Sequence, residues 1–160
     1  MNIRCRASSI IMGLMLTLIV GSTFAQATSA ANPRYVIRGG EIYDKKTDLT
    51  WQRCSVGQYW VEGTGCVGIV KEFTFDDAQR NDRAGWRVSS KDELVTLHMP
   101  KTSIEIDEVA FPDMDPRYTW YWTSTPNGAT FGWAVHFNSG SVDYYGRSYT
   151  YAVRLVRGGQ

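Results

Sequence analysis

The chain has little of what most catalytic or metal-dependent proteins need: two histidines, three cysteines and five prolines in 160 residues, and no block of like charge. Each scarcity excludes something. His98 and His136 lie far apart and have no carboxylates at ligand spacing, so no zinc site is expected. His98 reads as the end of a helix, and His136 as a polar side chain on a strand. Ser124 lacks the Gly-x-Ser-x-Gly frame of a nucleophile elbow, and no Ser, Thr or Cys has a recognisable base. The expectation is therefore no catalytic residue, no cofactor and no enzyme. Without Arg4 and Arg6, the 17 basic residues become 15 against 16 acidic ones, a net of −1, and Lys45-Lys46 is the only adjacent basic pair. Nucleic acid, which calls for a clustered basic surface, is not an expected partner.

Long hydrophobic runs are also missing, with one exception. Ile10 to Val20 is apolar, about half of the roughly 20 residues a membrane-spanning helix requires, so no permanent anchor is expected. Arg4 and Arg6 precede it, and the small-residue stretches Thr23-Phe24-Ala25 and Thr28-Ser29-Ala30 follow. This is the three-part pattern of a cleavable signal peptide over residues 1–25, or as far as residue 30. It predicts an exported protein, periplasmic or extracellular, with a short linker over 26–33 and a single domain over 34–158. About 130 residues suffice for one core and not for two.

Cys5 stands before the apolar run, so it is not a lipid-attachment cysteine and leaves with the signal. Cys54 and Cys66 remain as an even pair in an oxidising compartment, and a disulfide between them is expected; a reactive or metal-bound pair is the alternative. Closing so short a loop constrains the unfolded chain by about 3 kcal/mol.

Local patterns predict short strands and two modest helices. Tyr35-Val36-Ile37, Glu41-Ile42-Tyr43 and Leu49-Thr50-Trp51 are separated by Gly39-Gly40 and by Asp44-Lys45-Lys46-Thr47, which is hairpin chemistry. Thr74 precedes Phe75-Asp76-Asp77-Ala78-Gln79, with Gly85 as the far stop signal of a first helix. Ser90 and Glu93 form a capping box ahead of Leu94 and Leu97, and Pro100 ends that second helix. From Tyr118 onward, aromatic and β-branched residues are broken by turn signals at Pro126-Asn127-Gly128, Asn138-Ser139-Gly140 and Gly146, predicting an antiparallel meander. Within it, alternation sets Phe131, Trp133, Val135 and Phe137 on one face, expected to be core, and Gly132, Ala134 and His136 on the other.

The series Leu49-Thr50-Trp51-Gln52-Arg53-Cys54, Gly85-Trp86-Arg87, Glu93-Leu94, Phe111-Pro112, Trp122-Thr123-Ser124-Thr125 and Val153-Arg154-Leu155-Val156-Arg157 resembles the domain at the C-terminus of the Legionella collagen-like adhesin. The sequence departs from the usual pattern in having Val88-Ser89 where Leu-Pro commonly follows Trp-Arg, and Trp122-Thr123 where Trp-Ser is commoner. The resemblance implies an α+β, C-type lectin-like fold, two short helices packed on a twisted, mostly antiparallel sheet. It also implies association with host surfaces and glycosaminoglycans. No collagen-like Gly-X-Y stretch precedes the domain, and the basic patch that sulfated sugars want is missing.

Three motifs are weighed against blander readings. Gly63-Thr64-Gly65-Cys66-Val67-Gly68 has dinucleotide-binding spacing, but it holds a disulfide cysteine in a loop and reads as a glycine-rich turn. Asp107, Asp113 and Asp115, with Glu105 and Glu108, could offer calcium oxygen ligands, yet they lack EF-hand order and read as a solvated acidic loop, so no metal is expected. The Glu-Pro-Asn and Gln-Pro-Asp triplets of calcium-dependent lectins are absent. The third motif is aromatic: residues 118–151 hold 11 of the 21 aromatic side chains. Trp120, Tyr121, Asn127, His136, Tyr144, Tyr145, Arg147 and Tyr149 are the ligand-binding candidates, because ring faces beside amide and guanidinium donors suit sugar stacking or protein anchoring; Tyr151 and Asn138 neighbour them. The function expected is an exported, non-catalytic binding module, adhesin-like, recognising an unidentified glycan or surface protein. A structural component of an envelope or surface assembly ranks second, and an enzyme related to the formylglycine-generating architecture third.

Overall fold

In the computed structural model, the structure describes residues 32–98, 106–113, 120–136 and 140–159. Residues 1–25, expected to be a signal peptide, and Glu105, Asp115, Phe137 and Asn138 lie outside this set.

The expected opening hairpins form. Strands β1 (Tyr35–Arg38), β2 (Glu41–Asp44) and β3 (Leu49–Gln52) pair antiparallel in sequence order. The β2–β3 turn is built around Asp44, whose carboxylate accepts hydrogen bonds from the Lys46 amide, the Thr47 hydroxyl and the Arg34 guanidinium. The chain then makes a separate two-stranded hairpin, β4 (Gln58–Val61) with β5 (Gly65–Gly68). Cys66 of β5 is disulfide-bonded to Cys54, with the two Cα atoms 5.5 Å apart. The predicted bridge is present, but its surroundings differ: Gly65–Gly68 is a strand, and only residues 62–64 turn.

Helix α1 (Phe75–Gln79) begins where Thr74 accepts a hydrogen bond from the Asp77 amide. It ends well before Gly85, because the Asn81 carboxamide donates to the carbonyls of Asp77 and Ala78 and closes the last turn. After the short β6 (Arg87–Val88), α2 (Lys91–Val95) starts with both halves of the Ser90–Glu93 capping box in place. The meander follows as β7 (Trp120–Asn127), β8 (Phe131–His136) and β9 (Ser141–Gly146), and β10 (Leu155–Gly158) closes the chain.

Strand β10 inserts between β3 and β6, giving a five-stranded sheet of order β1-β2-β3-β10-β6; the meander is a second sheet of order β7-β8-β9. With two short helices and antiparallel strand pairing, the fold is α+β. One core cluster unites Ile42, Trp51 and Val156 of the large sheet with Leu94 and Leu97 at α2 and with Tyr121 and Val135 of the meander. The other unites Phe75 and Ala78 of α1 with Trp122, Ala134, Val153 and Leu155. The meander is thus covered on both faces, by α2 on one and α1 on the other.

That double coverage corrects the expectation for β8. Phe131 is 40% exposed and Trp133 is half-buried, whereas Gly132 and Ala134, assigned to the outer side, are buried. The cause is the Phe75 ring, which lies so close to Gly132 that a Cβ there would sit 2.0 Å from it. Val135 alone of the four keeps the core position assigned to it among the described residues.

The loop over 106–113 is fastened by buried polar groups. Arg53 donates to the carbonyls of Gly39, Val109 and Ala110. Asp107 accepts from the amides of Val109 and Ala110, and Asp113 from the Ser55 amide. Arg154, fully buried, donates to the carbonyls of Gln52 and Arg53, to the Ser55 hydroxyl and to Asp113. Asp107 and Asp113 are therefore structural acceptors in the interior rather than members of a solvated acidic loop.

Candidate functional site

Alternation along the meander sorts the aromatic candidates onto two faces. Trp120 and Trp122, two residues apart, share one face of β7. Their partners on β8 are His136 and Ala134, and on β9 Tyr145 stands opposite Gly132. Because Gly132 and Ala134 are small, the larger rings around them can close over this face. Tyr151 reaches the same place from beyond β9, held by paired backbone hydrogen bonds with Phe73, whose carbonyl also accepts from the Trp122 indole at 2.8 Å.

A continuous ring cluster results. Trp120 lies 4.8 Å from His136 and 4.8 Å from Tyr145, both edge-on. Tyr145 meets Tyr151 at 5.2 Å, and Tyr151 meets Trp122 at 4.8 Å. Tyr149 stacks on Tyr151 with its plane tilted 21° and its ring centre 6.4 Å away. The depth is graded: Trp122 is fully buried, Trp120, Tyr145 and Tyr151 are half-buried, and Tyr149 is 58% exposed. The inner rings anchor the outer ones, so Tyr149 is presented from a rigid base.

The Tyr145 and Tyr151 phenols hold their protons more tightly than an exposed tyrosine does. Burial, then the neighbouring Tyr145 and Tyr149 hydroxyls and the carboxylates of Glu72 and Asp143, push the Tyr151 hydroxyl up to about 12. Burial likewise raises Tyr145, with Asp143 and Tyr149 adding to it. Neutral phenols both donate and accept hydrogen bonds, which suits a ligand rich in hydroxyls.

Not every candidate belongs here. Tyr121 points the other way, is fully buried and shares a hydrogen bond of 2.9 Å with the Ser55 hydroxyl, so it is a core residue. Tyr144 is exposed on the opposite face, where its ring meets Phe131 and Trp133, both at 5.5 Å; Lys91 lies over Trp133. Asn127 ends β7 opposite Phe131, away from the Trp120 end of the cluster. Arg147 braces the turn after β9: it donates to Asp76 at 2.9 Å and covers the Phe75 ring. The structure therefore brings together Trp120, His136, Tyr145 and Tyr149, adds Tyr151, and separates Tyr121, Tyr144 and Asn127 from them.

Among the described residues, no group of His, Cys, Asp and Glu is arranged to hold a metal ion, and no helix is long and apolar enough to cross a membrane. A second recess, not evident in the sequence, lies where the β4–β5 hairpin leans over the large sheet beside Trp60 and Trp86. Its only sequence signal was the disulfide, which had to bring residues around Cys66 back against Cys54.

The profile of one protein family, the Lcl C-terminal domain, matches residues 40–157. A search of curated proteins finds no match.

Proposed function

We propose, from the premise that this chain belongs to the Lcl C-terminal domain family, that it is an adhesin-related, non-catalytic binding module whose Trp120–Tyr145–Tyr151–Tyr149 face recognises a glycan. The observation carrying this is the graded aromatic stack on a sheet anchored through its other face by Tyr121 and Val135 in the core. Tyr149, more than half exposed, offers a ring plane to the apolar side of a sugar, and the Tyr145 and Tyr151 phenols beside it offer hydrogen bonds to its hydroxyls. Stacking on a supported ring contributes about 0.5–1.5 kcal/mol per contact.

Export to the periplasm or cell exterior is part of the same reading. It is supported by the arrangement of Arg4, Arg6 and the apolar run to Val20, and by the Cys54–Cys66 bridge, a bond that persists in oxidising compartments. A C-type lectin-like description of the fold is likewise proposed; the two short helices and the placing of the last strand, β10, in the same sheet as the opening strands are consistent with it. Role as a component of a surface assembly is the second reading, favoured by the exposed patch of Phe131, Val142 and Tyr144 on the other side of the meander.

A glycan array with the wild type beside Tyr145→Ala and Tyr149→Ala tests the proposal. Binding that both substitutions weaken supports it. No glycan bound, together with a defined envelope protein recovered in a pull-down that Tyr144→Ala abolishes, would establish the second reading instead.

A further inference from the structure

The five-stranded sheet has one face in the core; over β1, β2 and β3 its other face is open to solvent. Arg38, Glu41 and Gln52 are successive cross-strand partners, so their side chains form a row on that open face. The β4–β5 hairpin leans over one end of the row, its Trp60 packed so closely on Gly40 that a Cβ there would lie 2.8 Å from the Trp60 Cβ. Trp86 and Arg83 stand on the other side. Together they enclose a groove of about 480 Å³, within the range of small-ligand sites.

The walls are fixed. Trp60 is held by the Arg53 guanidinium 3.7 Å over its ring and by an indole hydrogen bond to Glu62. Trp86 has the Arg157 guanidinium at 4.6 Å, and Arg157 is itself paired with Glu41. The disulfide ties the hairpin wall to the end of β3. Against these braced groups, Arg38 and Arg83 are exposed and have no ion-pair partner among the described residues. Among the described residues, no group donates a hydrogen bond to the Gln58 carboxamide oxygen, although it is buried. The groove thus presents two guanidinium groups without an ion-pair partner among the described residues, beside the Glu41 carboxylate, two amides, the Tyr59 phenol and two indoles.

We infer that this groove is a second binding site, separate from the aromatic face, for a sugar acid: a pyranose ring carrying a carboxylate. Glu41 is already neutralised by Arg157, so Arg38 and Arg83 leave the groove with uncompensated positive charge for an anion to meet. A carboxylate is planar and matches the guanidinium fork with two parallel hydrogen bonds. The amides of Gln52 and Gln58 serve ring hydroxyls, and the Trp60 and Trp86 indoles face the apolar ring surface.

The test is NMR titration of the disulfide-bonded protein, following the Trp60 and Trp86 indole N–H signals assigned by Trp→Phe variants. The probes are methyl β-glucuronide, methyl β-glucoside and methyl β-glucoside 6-sulfate. The glucuronide shifts both indole signals saturably, and the glucoside, which differs only in its missing carboxylate, binds about tenfold or more weakly. Arg38→Ala and Arg83→Ala, both at exposed positions, weaken the glucuronide by a similar factor without lowering Tm, whereas Tyr149→Ala leaves it unchanged. Indoles unmoved by any probe, equal binding of glucoside and glucuronide, or full binding by both arginine variants overturns the inference. Sulfate binding as tightly as the glucuronide removes the carboxylate assignment. Loss of glucuronide binding in Tyr149→Ala would place the sugar on the aromatic face rather than in the groove.

Discussion

Replacing Asp113 with alanine removes a carboxylate paired with the fully buried Arg154. Both side chains have no solvent exposure, and the guanidinium sits between Phe111 and Tyr121, with ring centres 5.0 and 5.6 Å away. Burial disfavours the charge on Arg154, and the Asp113 carboxylate together with the Tyr121 hydroxyl offsets that. Without it, the cation still has the carbonyls of Gln52 and Arg53, the Ser55 hydroxyl and Tyr121 beside it but loses its carboxylate, and the Ser55 amide loses its acceptor. Breaking one side of a buried pair costs about 3–5 kcal/mol, against roughly 5–15 kcal/mol for a whole domain. At about 3–5 °C per kcal/mol for a domain of this size, Tm falls by about 10–20 °C. Asp113→Asn, which retains an acceptor for Ser55 but no charge, should fall between alanine and wild type. In Asp113→Leu/Arg154→Met, the stranded charge is gone but the two carbonyls are left unmet, so the pair should lose less than the sum of its single changes. Calorimetry, with urea unfolding as the cross-check, reads all four. A loss below about 1 kcal/mol in Asp113→Ala, with unfolding still two-state, would mean that water reaches Arg154 and would refute the reasoning.

Other perturbations probe separate parts of the fold. Cys54→Ser/Cys66→Ser should lower urea stability by about 3 kcal/mol, and alkylation with mass spectrometry should find no free thiol in the wild type. Gly132→Ala drives a methyl into the Phe75 ring and should cost about 1–3 kcal/mol, partly restored by adding Phe75→Leu; an unchanged urea midpoint would show that the ring is free to move. Hydrogen bonds from Arg87 hold the Glu93 carboxyl below its usual range despite partial burial, and the Ser90 amide and hydroxyl contribute further. A depressed folded pKa gives stability that is complete above the unfolded value of about 4.3 and is lost as pH falls through the lower folded value. Glu93→Gln keeps a side chain able to cap Ser90, yet it should flatten the fall in urea midpoint between pH 6 and pH 3; an equally steep fall would assign the acid sensitivity elsewhere.

What could be read from the residues is what local rules determine. Turn chemistry at Gly39-Gly40 and Asp44–Thr47 set the first hairpins, Ser90 and Glu93 set the start of α2, and counting cysteines set the bridge. The choice of core face on β8 was not local. Both sides of that strand are covered, so hydrophobic alternation carries no sign, and the deciding contact is Phe75 on Gly132, between residues remote in the chain. Alternation alone could have separated Trp120 from Tyr121, since neighbours on a strand face opposite ways, and it did place Trp120 beside His136 once the register was known. Arg147 looked like a free donor because its partner, Asp76, belongs to a helix on the other side of the site. The groove was invisible for the same reason: its arginines, indoles and amides come from four segments that only sheet order and the disulfide bring together.

Isothermal titration of the strongest array glycan into the wild type and into Tyr145→Ala/Tyr149→Ala tests the central claim most directly. Recognition through the Trp120–Tyr149 face predicts binding at least about fivefold weaker in the double variant, as loss of about 1 kcal/mol or more of stacking requires, with no comparable fall in Tm. An unchanged Kd for that glycan in a folded double variant would contradict it.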